Sequence, residues 1–378
     1  MSASKIVLVA ALNNVNIYPA LYNLSKMLAA SGNKVYFLSK IKPVSHMEGD
    51  GDDIPTWLPL SSPGAFESKI PFVRGNYHRV FLAIARVKPD IFIGQHQLAL
   101  IGAVYSKFLK RIAVIPYFCD HIVGMWYSPV MRFFAKDFAA YVDVCDLRVK
   151  WRRQEWPTMK CEAFVIRQAV QLDSHRQFKH HEGDAKLVFI GSDYGPAIQW
   201  DYLATFIHAL CGLGIKLDWY MPGVPDKRAK AKTISESKNF KVLEPVNKRE
   251  LFEQLQSYDA GLLWAPVRKA SISSPKVVFD YNFLSAASNK ICEYHAAGLV
   301  AVHTGNPGLS YLPKNVAFEV DPWHPEDSAI KLAEYLRLRR QVEERRNAAF
   351  TYYQNEMNAE YQAMTFLQFI DSLDRENK

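Results

Sequence analysis

The sequence predicts an α/β protein of two doubly wound, Rossmann-like β/α domains. Its 378 residues exceed the roughly 100–200 of a single domain. Hydrophobic residues make up 49% of the chain and charged residues 22%, so there is enough apolar surface to fill two cores. Short β-branched runs alternate with helical stretches throughout, which is typical of parallel sheets covered by helices.

The first half of the chain alternates strands and helices with one interruption. Residues 42–75, rich in Pro, Gly, Ser and Asp, are predicted to be irregular. The predicted strands are residues 6–11, 34–38, 90–94, 111–117, 142–149 and 163–168. The predicted helices are residues 18–30, 77–87, 98–109 and 130–141.

A polar stretch without periodicity at residues 171–185 is predicted to link the domains. A second alternation follows it, interrupted by a long loop at residues 265–285. The predicted strands are residues 186–191, 216–221, 240–243, 260–264 and 300–304. The predicted helices are residues 200–213, 248–257, 288–297 and a helical region from residue 325 onward. The two domains are therefore predicted at residues 1–170 and 186–350.

The net charge of +8 lies in the first half of the chain. Residues 1–170 carry 21 Lys and Arg against 12 Asp and Glu, whereas residues 171–378 carry 25 against 26. A basic half is either an ordinary solvated face or a surface for an anionic partner such as phospholipid or a pyrophosphate-bearing substrate. The basic run at residues 150–153 lacks a nucleic-acid-binding motif, so no nucleic-acid partner is predicted.

The sequence also excludes several classes of protein. No stretch reaches the roughly 20 apolar residues of a membrane span, and the N-terminus is typical of a first strand rather than a secretory signal, which predicts a cytoplasmic protein. Five cysteines without a C-x-x-C pair predict neither disulfides nor a zinc site. No metal or cofactor motif appears in the sequence. Asp50 and Asp52 form an acidic pair of the kind that can bind a metal ion, but they fall in the irregular segment, where a solvated loop is expected.

The strongest local motif is SNKICEYHAAG at residues 288–298. A polar residue opens a helix, Lys290 lies in its first turn, and Glu293 follows on the same face. The N–H groups of a helix N-terminus and a lysine together suit a diphosphate, and a carboxylate can accept the hydroxyls of a ribose. An ordinary capped helix with an exposed Lys–Glu pair would show the same spacing.

This motif resembles the nucleotide-sugar-binding segment of the GT-B glycosyltransferases, in the K-x-x-E-Y-x-A-A-G form of the large retaining family of bacterial polysaccharide enzymes. Four other segments resemble that fold in the expected order, at residues 90–96, 165–170, 187–192 and 258–266. The resemblance covers nearly the whole chain. It implies two domains that face a cleft, with the acceptor bound by residues 1–170 and the nucleotide sugar by residues 186–350. It also implies that a C-terminal helix at residues 351–378 packs back on the first domain.

The resemblance further implies a donor site without a metal ion or cofactor, and a UDP-sugar as the donor. Lys290 would contact the donor phosphates and Glu293 the ribose. The other residues implied near the phosphates are Gly191, Ser192, Ser288 and Asn289, and those implied near the base are Met221, Pro222, Gly223 and Glu244.

Two departures from the family leave the stereochemistry open. Ser285 stands where the retaining family usually has the first acidic residue of its E-x7-E pair. The Arg and Lys that normally follow the opening strand of the second domain are replaced by SDYGPAIQ at residues 192–199. In its helix start without the acidic pair, the chain is also similar to the inverting glucuronosyltransferase of xanthan synthesis, in which an Asp of the first domain is the base.

An inverting transfer needs a carboxylate or an imidazole to take the proton of the acceptor hydroxyl. Asp137 lies in an aromatic helix, where burial would make it a stronger base, and it aligns next to the base of the xanthan enzyme. Asp120 directly follows a predicted strand, and His96 and His121 are alternatives. Each also has a structural interpretation, since Asp137 can pair with a neighbouring cation and Asp120 can cap a turn.

We therefore expect a metal-independent glycosyltransferase, of hexosyl or glycuronosyl type, acting on a saccharide or lipid-linked saccharide in polysaccharide or glycoconjugate synthesis. The alternatives are a non-hydrolysing sugar-nucleotide epimerase and a catalytically silent GT-B-like binding module. Residues 123–138 mix aromatic and basic side chains, a composition typical of interfacial helices. We expect them either to hold the basic first domain on the anionic inner face of the cell membrane or to pack in the domain core.

Overall fold

In the computed structural model, the chain forms two compact units, each built on one parallel sheet. The first unit comprises Met1–Gln171 and Ala359–Lys378, and the second comprises Leu172–Asn358. The structure describes residues 4–11, 20–42, 55–60, 77–119, 127–167, 178, 180, 183–191, 199–221, 225–266 and 289–373.

The first sheet has seven described strands, all parallel, in the order β3-β2-β1-β4-β5-β6-β7. The order reverses between β1 and β4, which makes that pair the switch point of a doubly wound sheet. The strands are β1 (Ile6–Ala10), β2 (Lys34–Ser39), β3 (Thr56–Pro59), β4 (Ile91–Gln95), β5 (Ala113–Phe118), β6 (Ala140–Asp143) and β7 (Glu162–Val165).

The second sheet has six described strands, also all parallel, in the order β10-β9-β8-β11-β12-β13. Its switch point lies between β8 and β11. The strands are β8 (Lys186–Ile190), β9 (Lys216–Tyr220), β10 (Phe240–Leu243), β11 (Ala260–Leu263), β12 (Val300–His303) and β13 (Ala317–Glu319). The fold class predicted from the sequence is confirmed.

The helices in the described residues flank these sheets. In chain order they are α1 (Ala20–Ala30), α2 (Tyr77–Val87), α3 (Leu98–Phe108), α4 (Ser128–Phe134), α5 (Asp146–Glu155), α6 (Trp200–Gly212), α7 (Pro225–Lys232), α8 (Lys248–Leu255), α9 (Asn289–Ala296), α10 (Pro325–Arg337), α11 (Arg339–Tyr352) and α12 (Ala359–Ser372). Among the described helices, none combines the length and the apolar character that a bilayer crossing requires.

Burial explains the sequence pattern of the strands. Central strands such as β1 (IVLVA) and β4 (IFIGQ) are apolar on both faces because helices cover both sides of a parallel sheet. In the first unit, α1 and α12 pack on one face, and α2, α3 and α4 pack on the other. The buried ammonium of Lys5 donates hydrogen bonds to the carbonyls of Ile370 and Asp371, which ties the end of α12 to the start of β1.

Several predicted boundaries are wrong. The strand predicted at residues 142–149 ends at Asp143, and a helix, α5, starts at Asp146. The helix predicted at residues 130–141 ends in a 3-10 turn, Ala135–Asp137, because Phe138 adopts an extended backbone conformation and leads into β6. Three elements were not predicted: β3, which lies in the segment predicted to be irregular, α7 and β13.

Candidate functional site

The switch point of the second sheet carries the main candidate site. In doubly wound sheets, ligands bind beyond the carboxyl ends of the strands where the strand order reverses, because adjacent loops diverge there and leave a crevice. Here those ends belong to β8 and β11. Gly191 directly follows β8, and α9 packs against β11 and β12.

Lys290, in the first turn of α9, places its side chain against Gly191. A methyl group added at Gly191 would lie 2.5 Å from Nζ and 2.7 Å from Cε of Lys290. Gly191 has a φ of +116°, a backbone conformation that favours glycine. Its N–H donates to the carbonyl of Tyr220 at 2.9 Å, and its carbonyl accepts from the Trp219 indole at 2.8 Å. The end of β9 thus holds the Gly191 backbone, and the Lys290 ammonium lies at the carboxyl end of β8.

Tyr294, one turn after Lys290, attaches α9 to the two strands of the switch point. Its buried hydroxyl donates to the Leu262 carbonyl at 2.9 Å and accepts from the Ile190 N–H at 3.2 Å. The backbone pairing of β8 with β11 ends at Phe189 and Leu262, so the hydroxyl continues the connection where the ladder stops. The Tyr294 ring lies on Gly261, where any side chain would overlap it. Since residues four apart share a helix face, Tyr294 directs Lys290 toward the strand end.

Replacing Tyr294 by phenylalanine is expected to lower the free energy of unfolding by about 1–3 kcal/mol, because two buried backbone groups lose their partner. Urea unfolding of the variant measures this change. The exposed Tyr361, replaced by phenylalanine, is the matched control, and we expect it to change the free energy by less than about 0.5 kcal/mol. Equal stability of Tyr294→Phe and the unmodified protein would contradict the bridging role.

The positive charge on α9 comes from Lys290. The other basic residue of this helix is His295, which is fully buried and contacts the Val316 carbonyl and the Met357 sulfur. Burial lowers the pKa of His295 to about 4, so the ring is neutral near pH 7. The ammonium of Lys290 and the N–H groups of the first turn of α9 therefore favour an anion at this end of the helix.

The other predicted donor-site residues are only partly described. Glu293 is half-buried and lies three residues after Lys290 on α9, while Asn289 opens that helix. Glu244 follows β10, is exposed, and pairs with Arg228. Met221 follows β9, but its side chain is fully buried in the hydrophobic core, so only its backbone can face a ligand. Ser192, Pro222, Gly223 and Ser288 lie outside the described residues.

In the first unit, the carboxyl ends of β4 and β5 carry a buried polar cluster. His96 follows β4 with a φ of +47°, and its Nε2 lies 2.8 Å from Cys119 Sγ. The Gln95 amide donates to the same sulfur at 2.9 Å, and Arg148 of α5 donates to the Cys119 carbonyl at 2.6 Å. His96 therefore lies at the ligand-binding edge of its sheet. Asp120 comes next in the chain after Cys119 but, like His121, lies outside the described residues.

Asp137 does not occupy the position predicted for a base. It precedes β6, so it lies at the amino edge of a parallel sheet, whereas His96 follows a strand and lies at the carboxyl edge. Its side chain is 39% exposed and lies 4.0 Å from the Lys107 ammonium. The prediction that Asp137 is buried among aromatic residues is thus wrong, and its pairing with a neighbouring cation agrees with the structural interpretation.

Four residues of these two sites were not predicted from the sequence: Tyr294, Trp219, Cys119 and Arg148. A role for Tyr294 could have been predicted, because it stands four residues after Lys290 and so shares its helix face. Roles for Trp219 and Cys119 could not, since their partners are set by strand pairing between distant segments. Arg148 fell in a segment assigned to the wrong element, so its approach to the end of β5 could not be anticipated.

No protein-family model and no curated protein matches the sequence. Solved structures do match, over nearly the full length. A glycosyltransferase from Rickettsia africae ESF-5 has a TM-score of 0.71 at 14% identity, over 98% of this chain and 99% of the other. The chain has the GT-B fold. The resemblance found in the sequence is thus confirmed for the fold.

Two other matching structures have a sugar nucleotide in their names. The Anabaena protein HepE in complex with UDP-glucose has a TM-score of 0.67 at 11% identity, over 98% of this chain and 100% of the other. A Listeria monocytogenes protein assigned as a UDP-N-acetylglucosamine 2-epimerase has a TM-score of 0.56 at 14% identity, over 98% of this chain and 96% of the other. At such identities the likeness shows the fold.

Proposed function

We propose that this GT-B protein is a glycosyltransferase that uses a nucleotide diphosphate sugar as donor. The observation that carries the proposal is the Lys290 ammonium against Gly191, at the first turn of α9 and at the switch point of the second sheet. A diphosphate at this position would meet an ammonium, the N–H groups of a helix start, and a glycine that lets it approach the backbone. The HepE complex with UDP-glucose supports a UDP-sugar as the donor.

The proposed chemistry needs no divalent ion. As the sugar leaves, negative charge develops on the diphosphate, and Lys290 with the α9 N-terminus would neutralise it from fixed positions. Glu293, one turn further along α9, would accept the ribose hydroxyls. The proposed acceptor is a saccharide or a lipid-linked saccharide, and the transferred group a hexosyl or glycuronosyl residue, in polysaccharide or glycoconjugate synthesis.

The base is proposed to come from the carboxyl edge of the first sheet. The candidates are His96, which follows β4, and Asp120, which comes two residues after the end of β5 in the sequence. The contacts of Cys119 Sγ with His96 and Gln95 hold the imidazole in one orientation. Because Nε2 faces the Cys119 sulfur, Nδ1 is the nitrogen that would take the acceptor proton.

The first test is calorimetric titration with UDP, GDP, ADP and CMP. We expect one nucleotide to bind in the micromolar range and to bind at least about tenfold more weakly to Lys290→Ala, a loss of about 1.4 kcal/mol. Lys232→Ala removes an exposed lysine of α7 and is the matched control, expected to bind as the unmodified protein does. Absence of nucleotide binding, or equal binding by Lys290→Ala, would overturn the donor site and favour the silent module.

The Listeria neighbour makes a sugar-nucleotide epimerase the second candidate. Nucleotide binding does not separate the two, but an epimerase needs no acceptor. Incubation with UDP-glucose or UDP-N-acetylglucosamine alone, followed by NMR of the sugar, decides between them. A new epimer in the absence of acceptor would establish the epimerase, and an unchanged sugar supports the transferase.

A further inference from the structure

Apolar and basic side chains are exposed together where α3 and α4 meet. Residues 107–111 (KFLKR), at the end of α3, are all exposed, and the Phe108 side chain is 70% exposed. On α4, Val130 and Phe133 also face solvent, with Phe133 60% exposed. We name this surface the basic apolar face; it consists of Phe108, Leu109, Val130 and Phe133 with Lys107, Lys110, Arg111, Arg132 and Lys136.

Lys107 joins the two helices into one surface. Its ammonium lies 4.7 Å from the centre of the Phe133 ring and 4.0 Å from the Asp137 carboxylate, so the end of α3 contacts α4 directly. The opposite side of α4 is anchored, because Met131 and Phe134 are buried in the core. One side of α4 is thus exposed and the other packs in the core, while residues 123–126 lie outside the described residues.

The charge on this face is strongly positive. Residues 107–111 and 129–137 expose five cations and one carboxylate, that of Asp137. Next to the face, a cavity of about 610 Å³ opens at the amino edge of the first sheet, and Lys107, Arg111 and Lys136 contribute to its wall. Its wall also includes Asp90, which accepts a hydrogen bond from the Ile6 N–H, so the cavity itself has mixed charge.

We propose that the basic apolar face docks the protein on an anionic phospholipid membrane. Phe108, Leu109 and Phe133 would enter the headgroup region, while the surrounding cations contact lipid phosphates. Phe108 and Leu109 directly follow Lys107, which contacts Phe133, and exposed apolar patches rimmed by polar residues mark interaction surfaces. A second copy of the chain fits poorly, because pairing this face with itself would oppose five cations to five. A nucleic acid would use the cations but leave Leu109 and Val130 without an apolar partner.

The docking fits the proposed chemistry of the first unit without depending on it. The face lies at the amino edge of the first sheet, and His96 lies at the carboxyl edge. A membrane bound at the face would therefore leave the carboxyl edge uncovered. Membrane binding and nucleotide binding are measured separately, so failure of one leaves the other standing.

The test is co-sedimentation with two kinds of vesicles, pure phosphatidylcholine and phosphatidylcholine with about 30% phosphatidylglycerol. Two variants of the face are compared with the unmodified protein: Phe108→Ser with Phe133→Ser, and Lys110→Glu with Arg111→Glu. The matched controls lie in the second unit: Leu338→Ser removes an exposed apolar side chain, and Lys232→Glu with Lys238→Glu reverses two exposed charges. All substituted side chains are exposed, so the thermal midpoint is expected to stay unchanged and serves as the folding check.

We expect the unmodified protein to sediment with the anionic vesicles only, and less so at about 0.5 M salt. Each face variant should lower the partition coefficient at least about tenfold, and each control less than about twofold. Three results would overturn the proposal: no sedimentation of the unmodified protein, equal losses in the controls, or full binding by the Phe108→Ser/Phe133→Ser variant. A change from dimer to monomer in the face variants, without a change in vesicle binding, would overturn it in favour of a second copy.

Discussion

Replacing Gly191 by alanine is expected to weaken UDP binding at least about tenfold and also to destabilise the fold. The affinity for UDP is expected to fall because the methyl group added at Gly191 would lie 2.5 Å from the Lys290 ammonium. The lysine side chain can move aside, but the ammonium then leaves the carboxyl end of β8. The loss of stability follows from the backbone, since a φ of +116° costs a non-glycine residue about 1–3 kcal/mol.

Calorimetry with UDP and urea unfolding measure the two effects separately. Gly212→Ala is the matched control, because this helical glycine has no atom within 4 Å of the added methyl group, and we expect unchanged binding and equal or higher stability. The double variant Gly191→Ala/Lys290→Ala should bind UDP about as weakly as Lys290→Ala, since both changes act through one ammonium. UDP binding of normal strength by Gly191→Ala would show that Lys290 does not act from this position.

Replacing Arg152 by methionine is expected to cost about 3–5 kcal/mol of stability, the largest effect we predict on the first unit. Arg152 and Asp143 are both fully buried, and the guanidinium donates to Asp143 Oδ2 at 2.9 Å and 2.8 Å. The guanidinium also lies 3.7 Å from the centre of the Phe118 ring. Methionine keeps apolar contact with that ring but leaves the Asp143 carboxylate buried without its cation, and an uncompensated buried charge is strongly unfavourable.

A second variant separates the loss of the charge pair from the loss of packing. Asp143→Asn/Arg152→Met removes both charges, and the asparagine oxygen can still accept the Val144 N–H bond that Asp143 Oδ1 accepts at 2.9 Å. We expect urea unfolding to show the double variant to be more stable than Arg152→Met alone. Lys150→Met, at an exposed position of α5, should change stability by less than about 0.5 kcal/mol. If the double variant is no more stable than Arg152→Met, the loss is one of packing and not of charge.

The misassigned segment at residues 142–149 shows where local pattern fails. Valines within it suggest a strand, but β6 stops at Asp143 because that side chain turns to bind the Val144 N–H and the Arg152 guanidinium. Its partner, Arg152, belongs to the basic run at residues 150–153. The sequence shows the positive charge of this run but not that one of its side chains is buried. Since polar residues are mostly exposed, a buried arginine in such a run is not predictable without its tertiary partner. The strand β3 was missed for a related reason, because an edge strand of four residues is defined by its pairing with β2.

Parallel topology explains the outcome for the candidate bases. In a parallel sheet, residues that follow strands lie at one edge and residues that precede strands lie at the other. His96 follows β4, whereas Asp137 precedes β6. The order of strands and helices along the chain is enough to assign each residue to an edge, provided that the element boundaries are right. The predicted helix extended past Asp137 to residue 141, so the start of β6 was not recognised.

The sequence by itself determined the α/β alternation of both units and the motif at residues 288–298, because hydrophobic period and helix-start chemistry are local properties. It also located the basic half of the chain. Only the tertiary structure decided that Lys290 lies against Gly191, that Tyr294 bridges β8 and β11, and that Lys107 at the end of α3 contacts the exposed Phe133 of α4. Each of these facts joins segments distant along the chain, and such contacts depend on strand order and helix packing, which no local pattern encodes.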